Sequence, residues 1–205
     1  MNKCAYGVVS LAGIALTGMS AAASVVWNEG TNGDLSGNQA LPTGVSLGAG
    51  SSSVVGLVGG TDTQDWLTFT VPAGFQLTSI VLGAYASNDA QGFMGIQAGS
   101  SFVGSPFAAG SYAGYGHFGT GAVNGPLPPA NLIGADMLAI MSNPTLAPGS
   151  QGFTAPLGAG TYTLLIQQLG AATEYRFDFT LVPAPSAVSL AALGCAGLVR
   201  RGRRA

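Results

Sequence analysis

Basic residues are almost missing from the middle of this chain. Of the six Lys and Arg in 205 residues, only Arg176 lies between Ser24 and Val182, where eight acids stand: Glu29, Asp34, Asp62, Asp65, Asp89, Asp136, Glu174 and Asp178. That stretch is near −7, although the whole chain is only −2. Nucleic acid binding needs several cations to displace counterions, so one arginine excludes it, and anionic lipid binding is disfavoured for the same reason. Cysteine is missing from the same stretch: Cys4 and Cys195 lie near the two ends. No disulfide can hold the middle, and no thiol there can act as nucleophile or metal ligand. His117 is the single histidine, so a Ser-His-Asp triad would have to use it, and a histidine-rich zinc site is excluded. It reads as a solvated loop residue. No Gly-x-Ser-x-Gly elbow occurs in a strand-to-helix context, and no segment of the middle carries a convincing 3.6-residue apolar stripe.

The two ends have a different composition. Met1 to Ala23 reads as a secretory signal peptide, with Lys3 ahead of an apolar stretch from Tyr6 to Met19 and the small residues Ala21-Ala22-Ala23 before Ser24. At the other end Pro183-Ala184-Pro185 precedes an apolar run from Ala187 to Val199 and the cluster Arg200, Arg201, Arg203 and Arg204. Thirteen residues of helix reach about 20 Å, short of the ~30 Å hydrocarbon core. Such a tail can be held transiently in a membrane, its arginines on the cytoplasmic side. The order of these parts resembles the sorting tail of PEP-CTERM proteins, which are surface and matrix proteins processed by exosortase. The usual Pro-Glu-Pro is here Pro-Ala-Pro. The resemblance implies export, an exosortase-type processing partner, and a place on the cell surface or in exopolysaccharide.

The body, 24–182, is large enough to bury its own core. Asp65 to Val71 alternates, with Leu67, Phe69 and Val71 on one face and Trp66, Thr68 and Thr70 on the other. Pro72-Ala73-Gly74 turns into Gln76–Tyr85, which is apolar on both faces and reads as a central strand. Phe93–Ala98, Thr161–Gln168 and the alternating Tyr175, Phe177, Phe179 and Leu181 predict further strands, with Val54–Val58 another and Ser24–Trp27 an edge. Arg176 and Asp178 share an exposed face. Met137–Met141 is read as a strand closed by Pro144. The glycine-rich stretch 99–131 is read mostly as a long surface loop, of the kind that is functional or mobile. Many short strands between Gly and Pro turns predict an all-β, antiparallel β-sandwich, flanked by an N-terminal signal helix and a short C-terminal hydrophobic helix. The strand–turn units from Asp62-x-x-Asp65-Trp66 to Gly74 and from Gly158 to Leu164 resemble the bacterial pre-peptidase C-terminal type of jelly-roll domain. That resemblance implies an extracellular, non-catalytic accessory role.

Two groups of residues carry candidate chemistry. Asp62 and Asp65, with Thr61, Thr63 and backbone carbonyls, can ligate Ca²⁺ through oxygen alone. The alternative is that both carboxylates serve local Asx turns and the opening of a strand. Trp66, Tyr112, Tyr115 and Phe118 offer flat rings on which a sugar can stack, or they pack the loop onto the sandwich. The function expected is that of an exported, non-catalytic surface or matrix protein. A carbohydrate-binding module using the aromatic loop is the second reading. A hydrolase working through a carboxylate pair is the third, and no pair is marked by spacing.

Overall fold

The computed structural model describes residues 23–185. The expected signal helix up to residue 22, the expected C-terminal hydrophobic helix and Arg200, Arg201, Arg203 and Arg204 lie outside the described residues. Among the described residues no helix is long and apolar enough to cross a membrane.

Two β-sheets face each other around one core. The first has four strands: β1 (Ser24–Asn28), β3 (Gly50–Val58), β9 (Thr173–Pro183) and β5 (Phe75–Ser87), in that order. The second has five: β2 (Thr43–Gly44), β4 (Gln64–Val71), β8 (Gly160–Gln167), β6 (Gln91–Ala98) and β7 (Gly114–Gly119). Two short helices, α1 (Glu29–Asn32) and α2 (Met137–Met141), lie between strands. The all-β sandwich is therefore present, with one departure from the antiparallel expectation: β1 and β2 run parallel to β3 and β4.

Period-two alternation sets the core. Leu67, Phe69 and Val71 of β4, Leu164 and Ile166 of β8, and Tyr175, Phe177, Phe179 and Leu181 of β9 all point between the sheets and are buried. Burying one such side chain is worth about 1.5–3 kcal/mol, and these strands supply much of the drive to fold.

The strand β5 corrects the sequence reading in an instructive way. It lies at the edge of its sheet, not at its centre. Its register shifts between Leu77 and Ser79, and again between Leu82 and Ala84. Each extra residue reverses the alternation, so Leu77, Ile80, Leu82 and Tyr85 all face the core. Other chain segments take up its free edge. Leu77 exchanges backbone hydrogen bonds with Leu157, and the Leu82 N–H donates to Ala135 O. The Ile80 N–H donates to the Asp136 carboxylate.

That same carboxylate accepts from the Leu138 N–H and starts α2, so Met137–Met141 is a helix and not the expected strand. An Asp at the cap outweighs the apolar run behind it. The helix α2 packs against both β5 and β7 and buries Met137, Leu138 and Met141, closing one side of the sandwich.

The glycine-rich stretch is also more ordered than a loop. Residues 114–119 form β7, paired with β6. Residues ahead of it fold over the outer face of the five-stranded sheet, where Phe102 and Tyr112 bury Trp66 and Leu165 in a second apolar cluster.

Candidate functional site

Four carboxylates meet at one end of the sandwich. Asn28 caps α1 by accepting from the Gly30 N–H, which puts Glu29 at the first helical position. Glu29 then bridges two segments: Oε1 accepts from the Leu35 N–H at 2.9 Å and Oε2 from the Leu57 N–H at 2.6 Å. Asp65 continues the inward series of Leu67, Phe69 and Val71 one step further along β4, so a carboxylate caps the core. Its Oδ2 accepts from the Tyr175 hydroxyl at 2.7 Å, and its Oδ1 is buried with no hydrogen-bond partner. Ligand oxygens of Glu29, Asp34 and Asp65 lie within 4.8 Å of one another. The Asp62 carboxyl reaches both Asp34 and Asp65 from the tight Gly59-Gly60 turn, where φ is +113° and +68°. Gly56 allows the approach, because a Cβ there would collide with the hydroxyl end of Tyr175.

Glu29, Asp34 and Asp62 border an open cleft of about 750 Å³, lined also by Asn28, Thr61 and Glu174, with Asp65 buried behind them. Burial raises the Asp65 pKa to about 9, the charge of Glu29 adds to the rise, and the Tyr175 hydrogen bond opposes it. Glu29 is raised as well, mainly by burial and against its two backbone donors. Asp62 is raised by burial and then by Asp34. Tyr175 is held well above its ordinary range by burial and by the neighbouring carboxylate. Among the described residues no cation relieves the crowding: Arg176 pairs with Asp178 at 3.2 Å. An all-oxygen set of this density suits a hard divalent cation such as Ca²⁺, which would replace the proton on Asp65. Asp65 is too deeply buried to meet a substrate.

The structure thus joins Asp62 and Asp65 to Glu29 and Asp34, which no sequence spacing marked. The aromatic set does not come together as a platform. Trp66 and Tyr112 are 0% and 1% exposed, packed on each other's cluster, with the Tyr112 hydroxyl bonded to Pro106 O. Phe118 faces inward, edge-on to Tyr85 and Phe177. Packing consumes these three rings, which is the alternative reading of the set, and leaves none of them free to stack on a ligand. Tyr115 alone stays half-buried, its hydroxyl donating to Pro148 O. His117 is a half-buried residue of β7 and not a solvated loop residue, and burial lowers its pKa. At the other end of the body, β9 stops at Pro183, and the Ala184 N–H donates to Gly74 O, so Pro183-Ala184-Pro185 begins where the sheet ends.

No protein-family model matches the chain, and no curated protein matches it. Among solved structures, it is similar to the pre-peptidase C-terminal domain of a collagenase from Bacillus anthracis. The identity is 18% and the TM-score 0.32, over 68% of this chain and 94% of that one.

Proposed function

We propose that this chain is an exported, non-catalytic protein of the cell surface or exopolysaccharide matrix, whose β-sandwich is locked by calcium at the acidic cleft. Its precursor would be sorted through the C-terminal tail by an exosortase-type enzyme, with transient membrane association. The observation that carries the calcium reading is the convergence of Glu29 and Asp34 on the buried, half-partnered Asp65, with Asp62 beside them. Surroundings that hold millimolar calcium favour a site of this kind, since extracellular modules bind with Kd of about 10⁻⁴–10⁻³ M. A passive role is supported by the fit of the acids to a cation.

The test is thermal unfolding of the full chain in chelator, in CaCl₂ and in MgCl₂. Calcium at a hundredfold excess over Kd should stabilise the fold by about 2.7 kcal/mol. Magnesium should do less, because it demands tighter octahedral geometry. Asp65→Asn should fold, keep the Tyr175 hydrogen bond and lose the response. No calcium shift in the wild type would overturn the cation reading. Sorting is tested separately by the intact mass of protein recovered from envelope and medium: export with processing predicts loss of both ends, and recovery of exported chain that retains Arg200–Arg204 would refute it.

A further inference from the structure

The outer face of the five-stranded sheet is only half covered. Residues that pair across a sheet share a face, and the register gives two adjacent rows there. One row runs Trp66–Leu165–Gly95–Tyr115 and the next Gln64–Gln167–Phe93–His117. The first row lies under Phe102 and Tyr112. Tyr112 lies flat against the sheet because Gly95 has no Cβ to meet its ring. The second row stays open. Two hollows of about 270 and 230 Å³ border it, and both are lined by Phe93 and Gln167. Tyr115 and Phe107 close the first, His117 and Leu169 the second.

Three observations describe what this face can hold. Phe93 and Tyr115 lie 5.7 Å apart with ring planes only 27° from parallel, and His117 stands edge-on to Phe93. Phe107 is 75% exposed at the rim, a large ring left in water beside other rings. Gln167 is 6% exposed, yet its Nε2 has no hydrogen-bond partner, although it lines both hollows. A buried amide without a partner is costly unless something supplies an acceptor. Among the described residues no Asp, Glu, Lys or Arg lines either hollow. An anion would find no cation there, and a cation no carboxylate.

We infer that this half-face binds an uncharged pyranose unit of a polysaccharide, its C–H face on Phe93 and Tyr115 and a hydroxyl accepting from Gln167 Nε2. The chemistry follows from the set: flat apolar rings, one unused amide donor, no charge, and two small hollows side by side along a strand row, which suits consecutive units of one chain. The exported, matrix-facing placement proposed above is assumed. The site itself is distinct from the calcium cleft, so the two can fail separately.

The experiment is affinity electrophoresis of the full chain through native gels carrying neutral polysaccharides (dextran, glucomannan, galactomannan and hydroxyethylcellulose), with alginate as the acidic control, all in calcium. Wild type should be retarded in at least one neutral gel and not by alginate. Gln167→Leu should weaken that binding about tenfold while leaving the melting temperature unchanged or higher, since the amide it removes has no partner. Phe107→Ala, at an exposed position, should weaken it with no effect on folding. Absence of retardation in every neutral gel overturns the inference, as does retardation that both variants keep or that only alginate produces. A calcium-dependent melting temperature measured on the same samples shows whether the acidic cleft stands when the sugar site falls.

Discussion

Asp65 and Gln167 sit on neighbouring strands, and each is buried with one polar atom lacking a partner. Asp65 points between the sheets and Gln167 points out of the sandwich. Burial and then the carboxylates around Asp65 raise its pKa and make the ionised state unfavourable. Around Gln167 the neighbours are rings, and the unpaired group is a neutral amide. Leaving a charge unmatched costs far more than leaving an amide unmatched. A ligand at the first region would therefore couple to folding, and one at the second to binding alone.

The largest effect is expected where the aromatic side is dismantled. Trp66→Ala removes a fully buried ring that packs on Phe102 and Tyr112. It should cost about 3–5 kcal/mol in urea unfolding. The cost should be the same with and without calcium, and a loss below about 1 kcal/mol would mean that the glycine-rich segment is not seated on the sheet.

A smaller effect sharpens the acidic side. The folded-state pKa of Asp65, about 9, lies above its ordinary value, so the native state binds the extra proton and loses stability as pH rises towards 9. Glu29 and Asp62 shift the same way. His117, whose pKa burial lowers, acts in the opposite sense but has finished titrating above its ordinary value of about 6.5. Between pH 7 and about 9 the melting temperature in chelator should fall, and calcium should abolish the fall. A flat or rising profile in chelator would remove the electrostatic basis of the cleft.

The smallest effect is a control at an ion pair outside the linings of both regions. Arg176 and Asp178 lie on the outer face of the four-stranded sheet with 45% and 20% of their side chains exposed. Arg176→Ala should change stability by less than about 1 kcal/mol, measured by the same urea titration, and should leave the calcium response intact.

The fold was legible wherever side chains obeyed period two without interruption, as in β4, β8 and β9. Two register shifts hid the true faces of β5, which the sequence presents as apolar on both sides. Glycines hid β7, since Gly114 and Gly116 carry no side chain to alternate. Added Cβ atoms would collide there with Met141 and Ile140, so these glycines are what lets α2 pack so close. The candidate sites were legible only in part. Asp62 and Asp65 are near each other in sequence, but Glu29 and Asp34 reach them through the pairing of β1 with β3, which no local pattern announces. The open aromatic row was obscured for a similar reason. Its members come from β4, β8, β6 and β7, while the aromatics most conspicuous in the sequence are consumed by packing.

Where the strands begin and end bears on how the molecule is presented. Ser24 is level with Ser52, which pairs with Phe179 near the exit of β9, so both ends of the body leave from one pole. Glu174 and the β8–β9 turn, beside Gln167, lie at the other pole, about 30 Å away along β9. A chain tethered by either end would thus stand with its anchor at its foot and both candidate sites at its head, free to meet calcium and glycan without turning towards the surface that holds it.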